Sequence, residues 1–231
     1  MKQTDTAIFI HRVNYSESSL IVTFYTLQNG IQKFIFQGGK KKGTALFPLS
    51  ICEIIFYRRP DSELGKLTES KSHQLLQDIP INPEKATIAF FMVDVLKQCL
   101  QTDQRDIVLF QYLESTIISL NNTTDLSLFA TEFLINFSLH MGIDPHIQES
   151  NKRYFHLQDG DFSDFDRKGE LVADGPEVQL IQSILRKETI AHPSRALKSK
   201  TFDVMIHYYK LHVPNFNIQK SLDVIKEILY A

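Results

Sequence analysis

AIFIHRVNYSESSLIVTFYTLQNGIQKFIFQ, residues 7–37, opens a stretch running to Leu76 in which five segments have the composition of β-strands. The segments are rich in β-branched and aromatic residues, and turn residues separate them. Between the second and third segments, Gln28-Asn29-Gly30 is a hairpin signal, because Asn and Gly both tolerate a positive φ. The predicted strands cover residues 7–13, 20–27, 31–37, 49–57 and 65–74.

The hydrophobic period changes to that of helices beyond residue 80. Asn82-Pro83-Glu84 predicts a helix start, because Asn caps, Pro fits the first turn and Glu favours the positive end of the helix dipole. Gly142, reinforced by Pro145, predicts a helix end. The predicted helices cover residues 87–100, 104–120, 125–141, 176–187, 194–212 and 218–230, with an irregular insert at about 144–175.

Together the two patterns predict an α+β protein. We expect an N-terminal five-stranded OB-fold β-barrel over residues 1–80 and an all-helical C-terminal domain over residues 81–231. A small barrel with cations on a connecting loop is typical of proteins that hold single-stranded nucleic acid through charge and stacking. Such binding requires no catalytic residue.

The net charge of -2 conceals an uneven distribution. Residues 1–80 hold 10 Lys and Arg against 7 Asp and Glu, residues 81–185 hold 7 against 16, and residues 186–231 hold 8 against 4. We therefore expect phosphate contacts from the basic ends. The candidate binding residues lie in the predicted strands, at their ends or on the glycine-flanked loop 38–43: Arg12, Lys33, Lys40, Lys41, Lys42, Arg58 and Arg59.

Aromatic residues are interleaved with these cations. Phe34, Phe36, Phe56 and Tyr57 fall in the third and fourth predicted strands. Alternate aromatic residues of a strand usually face the core, so we expect at most one or two of these rings to contact a base.

The sequence lacks the motifs that mark several other classes of functional site. Cys52 and Cys99 are read as buried thiols, since a zinc site requires about four ligands at short spacing. The acidic cluster at residues 159–166 departs from the calcium-loop pattern and is read as a solvated loop. Neither a P-loop nor a GxSxG motif occurs. Without a long apolar run or a secretory signal, we expect a cytoplasmic protein with no cofactor and no metal.

The ordered set of motifs resembles the RecO family of bacterial recombination mediators. The opening strand, the Tyr15-Ser16-Glu17 turn and the following strand are similar to the start of that family. Leu64-Gly65-Lys66-Leu67-Thr68-Glu69 is similar to its closing barrel strand, and Gly142-Ile143 followed by Pro145 to its helical domain. The tail from Tyr208 to Leu222 resembles members from the Bacteroidetes. Many family members carry a four-cysteine zinc element in the helical domain, whereas residues 154–160 here contain no cysteine.

This resemblance implies a protein that binds single- and double-stranded DNA and anneals complementary strands. It implies a complex with RecR, and contact with the acidic C-terminal tail of the single-stranded-DNA-binding protein. The implied outcome is loading of RecA onto protein-coated single strands near the nucleoid. No catalytic residue is implied.

Two alternatives remain at the level of sequence. In one, the protein is an interaction adaptor whose barrel binds a partner protein, with DNA contact secondary. In the other, it is a hydrolase with a dispersed site in the helical half. Near the C-terminus, Lys198, Lys200, Lys210 and Lys220 accompany apolar residues at helical spacing and are candidates for receiving an acidic peptide.

Overall fold

The computed structural model describes residues 2–39, 46–59, 62–73, 75–100, 104–147, 150–167 and 171–230. Within them, strands occupy the N-terminal part and helices most of the remainder. The elements in chain order are β1 (Lys2–Asn14), β2 (Leu20–Thr26), β3 (Gly30–Phe36), β4 (Ile51–Tyr57), β5 (Leu64–Ser72), α1 (Asp78–Ile81), α2 (Pro83–Cys99), α3 (Ile107–Asn122), α4 (Phe129–Met141), β6 (Tyr154–His156), β7 (Asp161–Ser163), β8 (Val172–Ala173), α5 (Pro176–Leu185), α6 (Arg195–His212) and α7 (Gln219–Tyr230).

The first five strands form a closed barrel in the order β1-β2-β3-β5-β4, which confirms the predicted OB-fold. Every neighbouring pair is antiparallel except β3 and β5, which are parallel. The first strand begins at Lys2 rather than at residue 7, because the polar residues up to Thr6 pair along β4 as far as Tyr57.

Aromatic side chains fill the barrel. Phe9, Phe24, Phe34 and Phe56 are each at most 2% exposed. Their rings follow one another across the interior, with centroid separations of 5.5, 6.2 and 4.8 Å. Successive side chains of a strand point to opposite faces of the sheet. Because these rings face the interior, the residues next to them in each strand point to the outside of the barrel.

The chain divides into two compact units, Met1–Thr123 and Thr124–Ala231, so that α1, α2 and α3 group with the barrel. The division expected between residues 80 and 81 falls inside α1 and stays a prediction. The predicted start of α2 is confirmed, since the Asn82 side chain accepts hydrogen bonds from the backbone N–H groups of Glu84 and Lys85. In the same unit the Tyr25 ring stacks on Phe110 with centroids 6.0 Å apart.

The insert at 144–175, expected to be irregular, lies in the second unit between α4 and α5. The insert contains a three-stranded sheet in the order β7-β6-β8. Phe155 stacks on Phe162 with centroids 4.6 Å apart and lies 5.4 Å from Tyr208, whose hydroxyl donates to the Ile143 carbonyl at 2.7 Å. These aromatic contacts stabilise the segment where the resemblance places a zinc element in many relatives.

The predicted end of α4 is confirmed. Gly142 has a φ of 66°, in the left-handed region, and its N–H donates to the Ser138 carbonyl. Among the described residues, none of the helices combines the length and apolar character needed to cross a membrane.

Candidate nucleic-acid interface

One row of side chains runs around the outside of the barrel at the end of β4. Tyr57 lies directly opposite Lys2 of β1 on one side and Lys66 of β5 on the other. Lys66 in turn lies beside Ile35 of β3. Directly opposed residues of antiparallel strands have Cβ atoms about 4.5–5.5 Å apart. An aromatic ring therefore stands between two lysines on the outer surface of the barrel.

A surface groove begins at this row. It has a volume of about 470 Å³, and Arg58, Arg59, Lys66 and Tyr57 all contribute to its lining. Ile35 and Leu64 supply an apolar part of the same lining. We call these six residues the barrel groove. Three cations and one ring meet over an apolar surface, a combination that suits a strand carrying both phosphates and bases.

Tyr57 is the one exposed ring among the four aromatic residues considered from the sequence. It is 46% exposed, whereas Phe34, Phe36 and Phe56 are at most 2% exposed. The three phenylalanines belong to the barrel core, as strand alternation predicts. Tyr57 alone among the four is accessible to a base.

Lys33 lies on the outer side of the barrel, beside the groove. It is opposite Thr23 and next to Leu64, and it is exposed. Two residues further along β3, Ile35 points to the same side. Lys33 can therefore extend the positive charge of the barrel groove along β3.

Arg12 lies on the other side of the sheet from Lys33. The register of β1 and β2 shifts between Phe9 and His11, so that His11 pairs with Thr23 and Arg12 pairs with Val22. Val22 belongs to the barrel interior, and Arg12 shares its side of the sheet although its own side chain is exposed. The structure thus groups Lys33, Arg58 and Arg59 on the outer face and separates Arg12 from them.

Lys40, Lys41 and Lys42 lie outside the described residues. Their role in binding stays a prediction. Two cations that the sequence reasoning did not select, Lys2 and Lys66, join the outer row instead. The sequence could have indicated that Lys66 faces outward, because Lys66 alternates with the inward-facing Gly65 and Leu67. Lys2 becomes a candidate only through its pairing with β4.

Charge in the first unit is almost balanced overall. Residues 1–123 contain 13 Lys and Arg and 12 Asp and Glu. Some outer charges compensate one another, as where Lys71 lies 3.5 Å from Glu69. The positive charge of this unit is therefore local, as at the barrel groove, where three cations meet.

The surroundings of His11 disfavour its protonated form. Burial lowers its pKa below the ordinary 6.5, and the charges of Lys97 and Lys33 lower it further. Asp94 opposes this effect and forms a 3.1 Å ion pair with Lys97.

Three carboxylates of the acidic insert pair with neighbouring basic side chains. Asp159 lies 2.8 Å from Arg167, and Asp164 lies 2.8 Å from Lys152. Asp161 hydrogen-bonds His146 at 2.8 Å, an interaction that lowers the carboxyl pKa. Within the described ranges, no group of three or more His, Cys, Asp or Glu residues is arranged to hold a metal ion.

The C-terminal lysines occupy different environments. Lys200 forms a 2.9 Å ion pair with the buried Glu177. Lys210 instead lines a pocket of about 490 Å³ together with Phe216 and Leu222, between the end of α6 and the start of α7. The lining of this pocket is mixed, since Asn215, Asn217 and Gln219 contribute to it beside the apolar side chains.

Both cysteines are buried, as predicted from the sequence. Burial raises the pKa of the Cys52 thiol, and it raises that of Cys99 to about 12. Neither thiol is set up for nucleophilic chemistry, since the thiolate is the reactive form.

Comparison with known proteins agrees with this architecture. Residues 1–76 match the family model for the N-terminal domain of recombination protein O, and residues 82–222 match the model for its C-terminal domain. The chain is 31% identical to the DNA repair protein RecO of Phocaeicola vulgatus, with 99% of each chain covered. It is 28% identical to the RecO of Christiangramia forsetii, over 96% of this chain and 97% of that one. The chain belongs to the RecO family.

Proposed function

We propose that this protein is a DNA-repair recombination mediator that binds single- and double-stranded DNA, promotes annealing and helps to load RecA on protein-coated single strands. It acts in the cytoplasm, associated with the nucleoid, by holding DNA rather than by catalysing a reaction. Membership of a family whose named relatives are DNA repair proteins supports the role in repair. The observation that supports DNA contact is the barrel groove, where three cations and an exposed ring converge.

In this proposal Arg58, Arg59 and Lys66 contact phosphates at the barrel groove, and Lys33 extends the contact along β3. Guanidinium groups bind phosphate oxygens in two parallel hydrogen bonds, and an ammonium group acts as a point charge. The loop lysines Lys40, Lys41 and Lys42 add further cations. Arg12, on the other side of the sheet, contributes to a separate contact or to none.

Two protein partners complete the proposal: RecR, and the acidic tail of the single-stranded-DNA-binding protein. The pocket at the end of α6 suits the tail, because Lys210 offers a positive charge beside the apolar side chains of Phe216 and Leu222. A short peptide with carboxylates and an apolar end would satisfy both features. Lys210→Ala should weaken binding of such a peptide without changing DNA binding.

The test of DNA contact is a fluorescence titration of labelled single- and double-stranded DNA at several salt concentrations. The wild type is compared with a groove variant carrying Arg58→Ala, Arg59→Ala and Lys66→Ala. Each phosphate contact on a single strand contributes about 0.7 to the slope of log affinity against log salt, so losing three should flatten it by about 2. When the salt is raised from about 50 to about 200 mM, the groove variant should therefore lose roughly 20-fold less affinity than the wild type loses.

A matched control removes the same number of exposed cations elsewhere, through Lys71→Ala, Arg195→Ala and Lys220→Ala. This variant should keep the wild-type slope. A groove variant with an unchanged slope on both DNA forms would place the binding site elsewhere. Undetectable DNA affinity of the wild type at low salt, with partner binding intact, would favour the adaptor.

A further inference from the structure

We propose that Tyr57 is a stacking platform for one unpaired base, and that it makes the barrel groove prefer single-stranded over paired DNA. The inference rests on the proposed function, because it requires DNA to occupy the groove. It goes further by assigning the choice between DNA forms to one side chain.

The first argument is the exposure of the ring. Tyr57 ends β4 with nearly half of its surface accessible, while Phe56, its neighbour, lies in the core. An exposed ring at a strand end gives up little packing when a base covers it. Since every base has a π-face, such contact is independent of sequence.

The second argument is the position of the cations. Lys2 and Lys66 flank Tyr57 on the two neighbouring strands, and Arg58 and Arg59 follow it directly. A strand whose base covers the ring therefore has positive charge on either side for its adjoining phosphates. A nucleotide uses the cations through its phosphates and the ring through its base.

The third argument is the difference between the DNA forms. In a duplex the base faces are stacked on one another and only the phosphates face outward, so the cations can act while the ring cannot. A duplex therefore makes no contact with the Tyr57 ring, whereas both DNA forms can contact the cations. Removing the ring should thus affect single strands selectively.

The test compares Tyr57→Ala with Tyr57→Phe on an unstructured oligothymidine and on a duplex of equal length. Tyr57→Ala should weaken single-strand binding by about 5- to 150-fold, change duplex binding by less than about threefold, and leave the salt slope unaltered. Tyr57→Phe should retain wild-type affinity. Tyr15→Ala serves as the control, because Tyr15 is similarly exposed, at 59%, in the β1–β2 turn of the same barrel.

A second measurement reports stacking directly. The sequence contains no tryptophan, so Tyr57→Trp introduces one tryptophan at the groove that can be excited selectively over the tyrosines. Oligothymidine should quench its emission, whereas a strand of abasic deoxyribose phosphates should bind weakly without quenching it. Quenching by both strands alike, or by neither, would overturn the stacking contact.

The outcomes separate the two proposals. If the groove variant loses salt dependence while Tyr57→Ala binds single strands normally, the stacking inference fails and the phosphate site stands. If Tyr57→Ala weakens both DNA forms equally, the ring supports the fold and the inference fails. If neither change affects DNA binding, the groove is not the DNA site.

Discussion

Replacing Gly65 with alanine is expected to destabilise the barrel directly beneath the groove. Gly65 lies in β5, where the strand passes so close to Phe34 that a Cβ atom would lie 2.5 Å from the ring Cδ1 and 2.8 Å from Cε1. Ordinary van der Waals contact begins at 3.4 Å, so the ring would need to retreat by about 0.9 Å. Phe34 is fully buried between Phe24 and Phe56, which restricts such a movement.

The sign of the effect follows from two opposing magnitudes. Where the backbone permits it, Gly→Ala stabilises a protein by about 0.4–1 kcal/mol, because alanine restricts the unfolded chain. Overpacking a well-filled core costs about 1–3 kcal/mol. We expect a net loss of roughly 1–2 kcal/mol in the unfolding free energy of the barrel.

The assay is amide hydrogen exchange against urea concentration on peptides from β3 and β5, since the two compact units of the chain need not unfold together. Phe34→Leu makes space for the new methyl group, so Gly65→Ala should cost much less in that background, with a coupling of about 1 kcal/mol. Equal or greater stability of Gly65→Ala in the wild-type background would refute the close packing of β5 on Phe34.

Three further predictions concern stability. Burial raises the pKa of Asp5 above its ordinary 3.8, more than the hydrogen bonds from Gln28 and Asn29 lower it. The folded chain therefore binds the Asp5 proton more tightly than the unfolded chain does. The stability that this proton contributes is lost as pH rises through the folded pKa. Asp5→Asn should flatten that fall and raise the free energy of unfolding at pH 7, as urea titrations over a pH series would show; an unchanged pH dependence would contradict this. Tyr208→Phe should lower the free energy of unfolding by about 1–3 kcal/mol, because the Ile143 carbonyl loses its hydrogen-bond donor. A chelator should leave the melting temperature of the wild type unchanged, and a chelator-induced drop would reveal a bound metal.

Local chemistry was enough to predict the turns and caps of this fold. The Asn29-Gly30 turn, the Asn82 cap and the Gly142 helix end depend on residues adjacent in sequence, and each is found where it was expected. Alternation likewise indicated that at most one or two of the four rings would be accessible, and Tyr57 is the exposed one. Such features require no knowledge of distant parts of the chain.

Features that depend on pairing between distant segments were missed. The extra residue at the β1 bulge reverses which side Arg12 occupies, and nothing in AIFIHRV indicates it. Similarly, the polar start of β1 becomes a strand only because β4 pairs with it. The short strands of the insert, of three residues or fewer, are too brief to display a period.

The groove itself combines both kinds of information. Arg58 and Arg59 were selected from the sequence because they follow a strand rich in aromatic residues. Lys66 and Lys2 come beside Tyr57 through the barrel closure, which joins β4 to both β5 and β1. A cluster made by three strands is visible only when their register is known.

The most direct measurement is hydrogen–deuterium exchange of the full chain, with and without a saturating single-stranded oligonucleotide. Contact at the barrel groove predicts slower exchange in peptides covering residues 55–59 and 62–67, and unchanged exchange in the β1–β2 turn around Tyr15. Protection confined to other regions, with residues 55–67 exchanging as in the free protein, would contradict a DNA-binding barrel groove.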